Sequence, residues 1–361
     1  YRADIKTVDA FCTALLRENC HLLGEDARGH TLRPDFRVLD ENDAQALRER
    51  VLARTLDDFY DRLTPGGALL ADTLGAGRDD SALEALVLEL HAKLQAQPYE
   101  DKWLDAQRAL WSEVPDRIEK TPYGRILLDE VRRKARHWQR LMQTAAQEMT
   151  QNDALNQKYA PAFLDISYQL EALTAKADEG WDAARGVSIA FPRLAPVKDS
   201  DGGELLNASS GEAAEDLRTM APAMLALIDL TAEFSRRYNE EKRRRNAADF
   251  SDQEHEAIRL LIEEDGTPTE LARTVSTRYR EIMVDEYQDT NEVQNRIFDA
   301  ISCKGENLFT VGDVKQSIYR FRLADPRIFL QHYNTWPPLA QAGEHESAKL
   351  LLSRNFRSRK E

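Results

Sequence analysis

Two short apolar runs, each ending in acid, constrain this chain more than any other feature. Both lie between Arg280 and Pro326. Ile282, Met283 and Val284 lead into Asp285 and Glu286, and Leu308, Phe309, Thr310 and Val311 lead into Gly312 and Asp313. The segment between them, Glu292 to Ile301, has Val293, Ile297, Phe298 and Ile301 at helical spacing. Strand, helix and strand in this length predict a βαβ unit with parallel strands and a right-handed crossover. Open α/β sheets bind ligands outside the carboxyl ends of their strands, and both acidic clusters fall at that edge. An Asp there can hold Mg²⁺ on a nucleoside triphosphate, directly or through water. An adjacent Glu can activate the attacking water. Successive residues on a strand end point differently, so one can face the metal and the other the terminal phosphate. Taken alone, the same pattern also fits a solvated acidic turn.

With 361 residues the chain has room for two or three domains. It starts at Tyr1 rather than Met and ends in the charged run Arg357 to Glu361, so it reads as a piece of a longer protein. No apolar run approaches the roughly 20 residues of a membrane helix, and no signal peptide is visible. The three cysteines, Cys12, Cys20 and Cys303, form neither an even framework nor a metal spacing. They read as free thiols of a reducing cytoplasm. A net charge of −14 argues against indiscriminate coating of DNA, but a local groove can still hold a strand by field and stacking.

Along the chain, Ile5 to Val8 reads as a short strand and Asp9 as the cap of a helix carrying Phe11, Leu15, Leu16 and Leu22. Asp40 with Asp43 marks another helix start, followed by Leu47, Val51, Leu52, Leu56 and Phe59 at helical spacing. Residues 64 to 80 carry Pro65, Gly66, Gly67, Gly75 and Gly77 and read as a turn-rich connection. From about 81 to 246 the pattern is mostly helical. A long segment from Ile126 to Ala177 has breaks near Asn152 and Pro161, and Gly180 to Gly211 reads as loop with a polar tip. A further helix spans about 213 to 245. The run Lys242 to Arg245 suits phosphate, or a solvated helix end balanced by Glu240 and Glu241. Asp249 or Ser251 caps a returning helix packed through Ala257, Leu260 and Leu261.

The string DEYQDTN at Asp285 to Asn291, followed by VGDVKQSIYRFR at Val311 to Arg322, resembles motifs II and III of the UvrD-type superfamily 1 DNA helicases. The continuation Leu323 to Pro326 resembles the AddA branch, the helicase-nuclease subunit of the AddAB recombination complex. TVDAFC, from Thr7, resembles motif Ib, and KLLLSRNFRS, Lys349 to Ser358, resembles motif IV. The resemblance implies an α/β fold: a partial RecA-like parallel-sheet domain with a large all-helical insertion. Residues 1–40 would open domain 1A, 41–246 would form the 1B-like insertion, and 247–361 would return to 1A.

The resemblance also implies an ATP-dependent motor using Mg²⁺, in a helicase-nuclease that processes double-strand breaks for recombinational repair. Asp285 would hold Mg²⁺ and Glu286 would activate water. Gln316 would reach the terminal phosphate, Gln288 would lie near the nucleotide, Phe356 against adenine, and Arg357 on the terminal phosphate. An amide at Gln316 can donate to one oxygen and accept elsewhere without adding charge. Thr7 would touch the single strand's backbone. Tyr319, Phe321 and Arg322 would form the DNA side, with aromatic stacking worth roughly 1–3 kcal/mol per base. Phe321 and Phe356 stand where many relatives carry Trp and Tyr. Single-stranded DNA, the duplex junction and a second subunit of the AddB type are the implied partners, with no membrane. One other reading is a non-catalytic module that binds DNA or a partner; another is a metal nuclease using Asp285, Glu286 and Asp289. No Gly-x-x-x-x-Gly-Lys-[Ser/Thr] loop occurs in the sequence, and the second RecA-like and nuclease domains would also lie elsewhere. The 361-residue piece is therefore expected neither to hydrolyse ATP efficiently nor to unwind DNA. Glu286-dependent ATPase activity measured on the isolated piece would contradict this.

Overall fold

A computed structural model describes residues 3–25, 29–74, 80–189, 206, 208–302, 305–317, 324–344 and 346–352. In chain order the helices and strands begin with α1 (Val8–Asn19), β1 (Arg37–Val38), α2 (Glu41–Asp61), α3 (Pro65–Leu74), α4 (Ser81–Gln95) and α5 (Glu100–Ser112). Next come α6 (Pro122–Met149), α7 (Asp153–Lys158), α8 (Ala160–Glu179), α9 (Trp181–Arg185) and α10 (Ser210–Arg244). The chain then passes through β2 (Ala247–Ala248), α11 (Phe250–Leu261), α12 (Glu270–Ser276), β3 (Ile282–Val284), α13 (Glu292–Ile301), β4 (Leu308–Thr310) and α14 (Pro326–Thr335). Among the described residues no helix is long and apolar enough to cross a membrane. The secondary structure is mostly helical, with small parallel strand pairs.

Capping explains several of these boundaries. Asp40 starts α2 by accepting from the Asp43 amide at 2.9 Å, as expected. At α1 the expectation fails: residues 5–7 form no strand, and Thr7 rather than Asp9 is the cap, its Oγ1 accepting from the Ala10 amide at 3.2 Å. Asp9 sits instead in the first turn, where a carboxylate suits the positive end of the helix dipole. The Pro65–Gly66–Gly67 tract opens a helix rather than a turn. Pro is tolerated in a first turn, and Gly66 lies so close to another backbone that an added Cβ would come 2.5 Å from the Pro222 carbonyl oxygen. The expected loop after Gly180 contains α9, where Trp181 is buried and donates its Nε1–H to the Ala208 carbonyl at 2.9 Å. Residues 190–205, most of the expected polar tip, lie outside the described residues, as does Cys303.

The chain divides into two compact units. One comprises Tyr1–Thr64, Ala71–Asp105 and Leu227–Glu361; the other comprises Pro65–Leu70 and Ala106–Ala226. In the second unit α6 packs along α8. Its core joins Ile118, Leu128, Val131, Ala177, Trp181 and Ala184. The break near Asn152 is a cap: its Oδ1 accepts from the amides of Ala154 and Leu155, at 3.1 and 3.2 Å, and starts α7.

The first unit carries the strands. β1 pairs parallel with β2, and β3 pairs parallel with β4 in the register Ile282–Leu308, Met283–Phe309, Val284–Thr310. α13 lies between β3 and β4 in the chain, with the bounds the apolar spacing predicts. Its buried face, Val293, Ile297, Ala300 and Ile301, joins Leu15 and Leu16 of α1 and Ala257, Ile258 and Leu261 of α11 in one core. The register partners Met283 and Phe309 are 71 % and 56 % exposed. The apolar run Leu350 to Leu352, at the start of the motif IV resemblance, forms no strand among the described residues. Lys349 makes a single parallel bridge to Pro338, and Leu350, Leu351 and Leu352 are exposed.

The basic end of α10 departs from the solvated helix end expected there. Lys242 is 1 % exposed, and its Nζ lies 2.8 Å from Asp249 Oδ2 and 2.6 Å from Asp252 Oδ1. Burial alone would raise the Asp249 carboxyl, but the Lys242 ammonium outweighs it and holds it below the usual carboxylate range. Tyr238 donates to the same carboxylate at 3.0 Å. Asp249 and Asp252 also form a reciprocal capping box at the start of α11. Arg243 pairs with Glu256, and only Arg244 and Arg245 pair with Glu241 near the surface. Lys242 and Arg243 thus fasten α10 to α11, while Arg244 and Arg245 form the solvated end, balanced by Glu241.

Lys242→Ala leaves the buried Asp249 and the part-buried Asp252 without their cation, and should lower the unfolding free energy by about 3–5 kcal/mol in a urea titration. Gly312, just after β4, has no room for a side chain: a Cβ would meet Gln288 Oε1 at 2.6 Å and Phe329 Cε2 at 3.0 Å. Gly312→Ala should cost about 1–3 kcal/mol in the same measurement.

Candidate nucleotide site at the strand ends

Parallel pairing brings the two acidic clusters together. The Val311 amide donates to the Val284 carbonyl at 2.8 Å, and the Tyr287 amide donates to the Val311 carbonyl at 2.8 Å. Asp285 and Glu286 therefore leave β3 directly beside Val311, Gly312 and Asp313. Both acidic side chains of the first cluster belong to exposed residues. Asp285 Oδ1 accepts from the Glu286 amide at 3.0 Å, which fixes the carboxylate against its own backbone.

Glu286 adopts a left-handed backbone, φ 51° and ψ 39°. A residue with a Cβ occupies this region at a cost, on the order of 1–3 kcal/mol, only where its surroundings enforce it. The enforcing contacts are the Tyr287 anchor, a hydrogen bond from the Asp289 amide to the Glu286 carbonyl at 2.9 Å, and the Gln288 side chain. Tyr287 is buried, stacks on His332, packs near Phe298 and Phe329, and donates its hydroxyl to Asn295 Oδ1 at 2.5 Å. The left-handed turn breaks the strand alternation, so Asp285 and Glu286 diverge for a reason that strand geometry alone does not supply.

Gln288 is 1 % exposed and joins the two clusters. Its Nε2 donates to Glu286 Oε2 at 2.7 Å, and its Oε1 accepts from the Asp313 amide at 2.9 Å. Its side chain thus has the role of a brace within the protein. On the other side, Asp313 Oδ1 accepts from the Lys315 amide at 3.0 Å and Oδ2 from Gln316 Nε2 at 3.1 Å. The Gln316 hydrogen bond, with the Lys315 amide, lowers the Asp313 carboxyl. Gln316 is exposed, tethered to Asp313 through its amide nitrogen.

Asp289 sits behind the cluster. Its Oδ1 is buried with no hydrogen-bond partner among the described residues, and burial, with Glu286 nearby, raises its carboxyl. No three His, Cys, Asp or Glu side chains converge as a metal cage among the described residues. Mg²⁺ is commonly bound through one or two carboxylates plus substrate phosphates and water, and the exposed Asp285 carboxylate at a strand end suits that role. Thr7 uses its hydroxyl for the α1 cap; the next residue, Val8, packs on the cluster of Tyr287, Phe298 and Ile328. Tyr319, Phe321, Arg322, Phe356 and Arg357 lie outside the described residues. Sequence reasoning missed the brace made by Gln288 and the backbone of Glu286. For the brace alone Gly312 was the available signal, since a Gly in or beside a strand often marks the close approach of another group.

The family model of the UvrD/REP helicase N-terminal domain matches residues 1–337. The chain is 34 % identical over 403 aligned positions to the A subunit of the ATP-dependent helicase/nuclease of Desulfitobacterium hafniense (strain DSM 10664 / DCB-2), with 100 % of this chain and 28 % of the relative covered. It is 32 % identical to the protein of the same name from Acetivibrio thermocellus and 29 % identical to that from Staphylococcus aureus (strain MRSA252), covering 100 % of this chain and 31 % of each relative. The chain therefore spans less than a third of the length of these relatives. With the motif order, the paired acidic strand ends and the domain match in agreement, the chain belongs to the UvrD/REP helicase family.

Proposed function

We propose that this chain is part of the ATP-driven motor of a DNA helicase-nuclease that acts in double-strand-break repair. The observation carrying this reading is the parallel β3–α13–β4 unit. It sets Asp285 and Glu286 beside Asp313 and Gln316 at adjacent carboxyl strand ends, with Gln288 braced between them. In this reading residues 1–40 and 247–361, which fall in the first compact unit, are the RecA-like domain 1A, and the second unit lies within the 1B-like helical insertion of 41–246. Asp285 holds Mg²⁺ on ATP, directly or through water. Glu286 takes the proton of the attacking water. Gln316 turns from Asp313 toward the terminal phosphate, so that nucleotide state alters the segment that follows. Tyr319, Phe321 and Arg322 in that segment hold the single strand, Thr7 touches its backbone, and Phe356 and Arg357 complete the nucleotide site. The relatives are named as one lettered subunit of a helicase/nuclease, which supports a second subunit of the AddB type. The same reading has the complex act on DNA in the cytoplasm. The activity then belongs to a polypeptide longer than this one.

The test uses the full-length polypeptide that contains this chain. Glu286→Gln should lower DNA-stimulated ATP hydrolysis by about 10²- to 10⁴-fold, with ATP binding retained in a filter or fluorescence assay. Hydrolysis at the unaltered rate would overturn the assignment.

A further inference from the structure

α11 carries no residue of the nucleotide site, yet successive side chains along it reach different parts of the first unit. Asp249 and Asp252 at its start hold Lys242 of α10. Gln253 accepts from the Thr13 hydroxyl of α1. His255 Nε2 lies 2.9 Å from the Gln97 carbonyl oxygen, between α4 and α5. Between these anchors stands Glu254, which is 7 % exposed.

Glu254 makes no ion pair among the described residues. Its partners are two amides: Gln294 Nε2 donates to Oε1 at 2.7 Å, and Asn291 Nδ2 lies 3.4 Å from Oε2. Burying a carboxylate without a cation is costly, several kcal/mol before its hydrogen bonds are counted. The two groups it holds start one helix. Asn291 caps α13, with its own Oδ1 accepting from the Gln294 amide at 2.7 Å. Asn291 is also the last residue of the turn that begins at Asp285. That turn is pinned at its near end by the pairing of β3 with β4 and by Tyr287. Glu254 pins its far end to α11, which the other contacts fix.

We propose that Glu254 is a positioning residue for Glu286. By gripping Asn291 and Gln294 it fixes the length and direction of the turn from 286 to 291, and so sets where the left-handed Glu286 and its Gln288 brace stand against the nucleotide. This rests on the proposed nucleotide site, but it assigns to α11 a role distinct from binding either ligand.

The amide pair offers a specific exchange. Glu254→Gln alone replaces two charged acceptors by one neutral acceptor and one donor; Gln294 must turn its amide to meet that donor, and both contacts become the weaker neutral kind. Adding Gln294→Glu restores the set, because the amide now at position 254 can accept from Asn291 and donate to the carboxylate now at position 294. In the full-length polypeptide with its partner subunit, E254Q should lower kcat for DNA-stimulated ATP hydrolysis by roughly 10- to 100-fold, the scale of a displaced reacting group. KM for ATP should stay within about twofold and single-strand affinity should be unchanged, since neither ligand touches Glu254. E254Q/Q294E should recover most of the loss. An unchanged kcat in E254Q, or a loss that the exchange does not recover, would overturn the proposal. If E254Q does not fold, the double variant still decides: near-native kcat supports the role, and folded protein with depressed kcat refutes it. Glu286→Gln, run alongside, separates the two levels. Hydrolysis that survives it removes the nucleotide-site reading itself and leaves the contacts of Glu254 without this purpose.

Discussion

Two carboxylate-bearing strand ends, Asp285–Glu286 and Asp313, lie side by side in this chain, and one neutral group stands between them. The Gln288 amide donates to Glu286 and accepts from the Asp313 backbone, using both of its faces with no charge of its own. A Lys or Arg in that place would neutralise the site and compete with a cation; a third acid would add repulsion. The absence of a side chain at Gly312 makes room for it. The three-residue strands β3 and β4 offer few ladder bonds of their own. The brace and the buried Tyr287 cluster therefore carry much of the task of keeping their ends in register.

The same logic extends outward through α11. Lys242 is desolvated but satisfied by two carboxylates and a tyrosine ring, its Nζ 4.1 Å from the Tyr238 centroid. Such a cluster contributes little net stability compared with an apolar substitute, yet it tolerates few alternative arrangements. It ties the end of α10 to the start of α11, and the buried face of α11 then meets α1 and α13. The strand-end site is thus backed by a helix whose polar residues are committed to neighbours and whose apolar residues are committed to the core.

Much of this was readable from residues alone. The bounds of α13 follow from the spacing of Val293, Ile297, Phe298 and Ile301, and the β3 and β4 runs announce themselves by composition. Asp40 and Asp249 mark helix starts because a short polar side chain can satisfy a free amide, and the break read near Asn152 is a cap of the same kind. The failures share a cause. Lys242 to Arg245 looks like a solvated run because the partners of Lys242 and Arg243 come from the next helix, across a chain reversal. Gly66 looks like part of a turn because composition does not reveal that a neighbouring backbone needs the space. The bracing contacts of Gln288 go unread because its amide suits a phosphate as well as it suits Glu286 and Asp313. The backbone of Glu286 is invisible in the sequence, since a Glu in a left-handed turn is disfavoured locally and exists only by tertiary enforcement.

That left-handed residue sets fold and chemistry against each other. Glycine at position 286 would relax the backbone and make the unligated domain easier to fold, while deleting the carboxylate to which the proposed function gives the hydrolytic role. A search for sturdier versions of this domain, scored on folding alone, would therefore drift toward removing it. The energy held in one peptide turn marks the place where usefulness has been kept at the expense of ease.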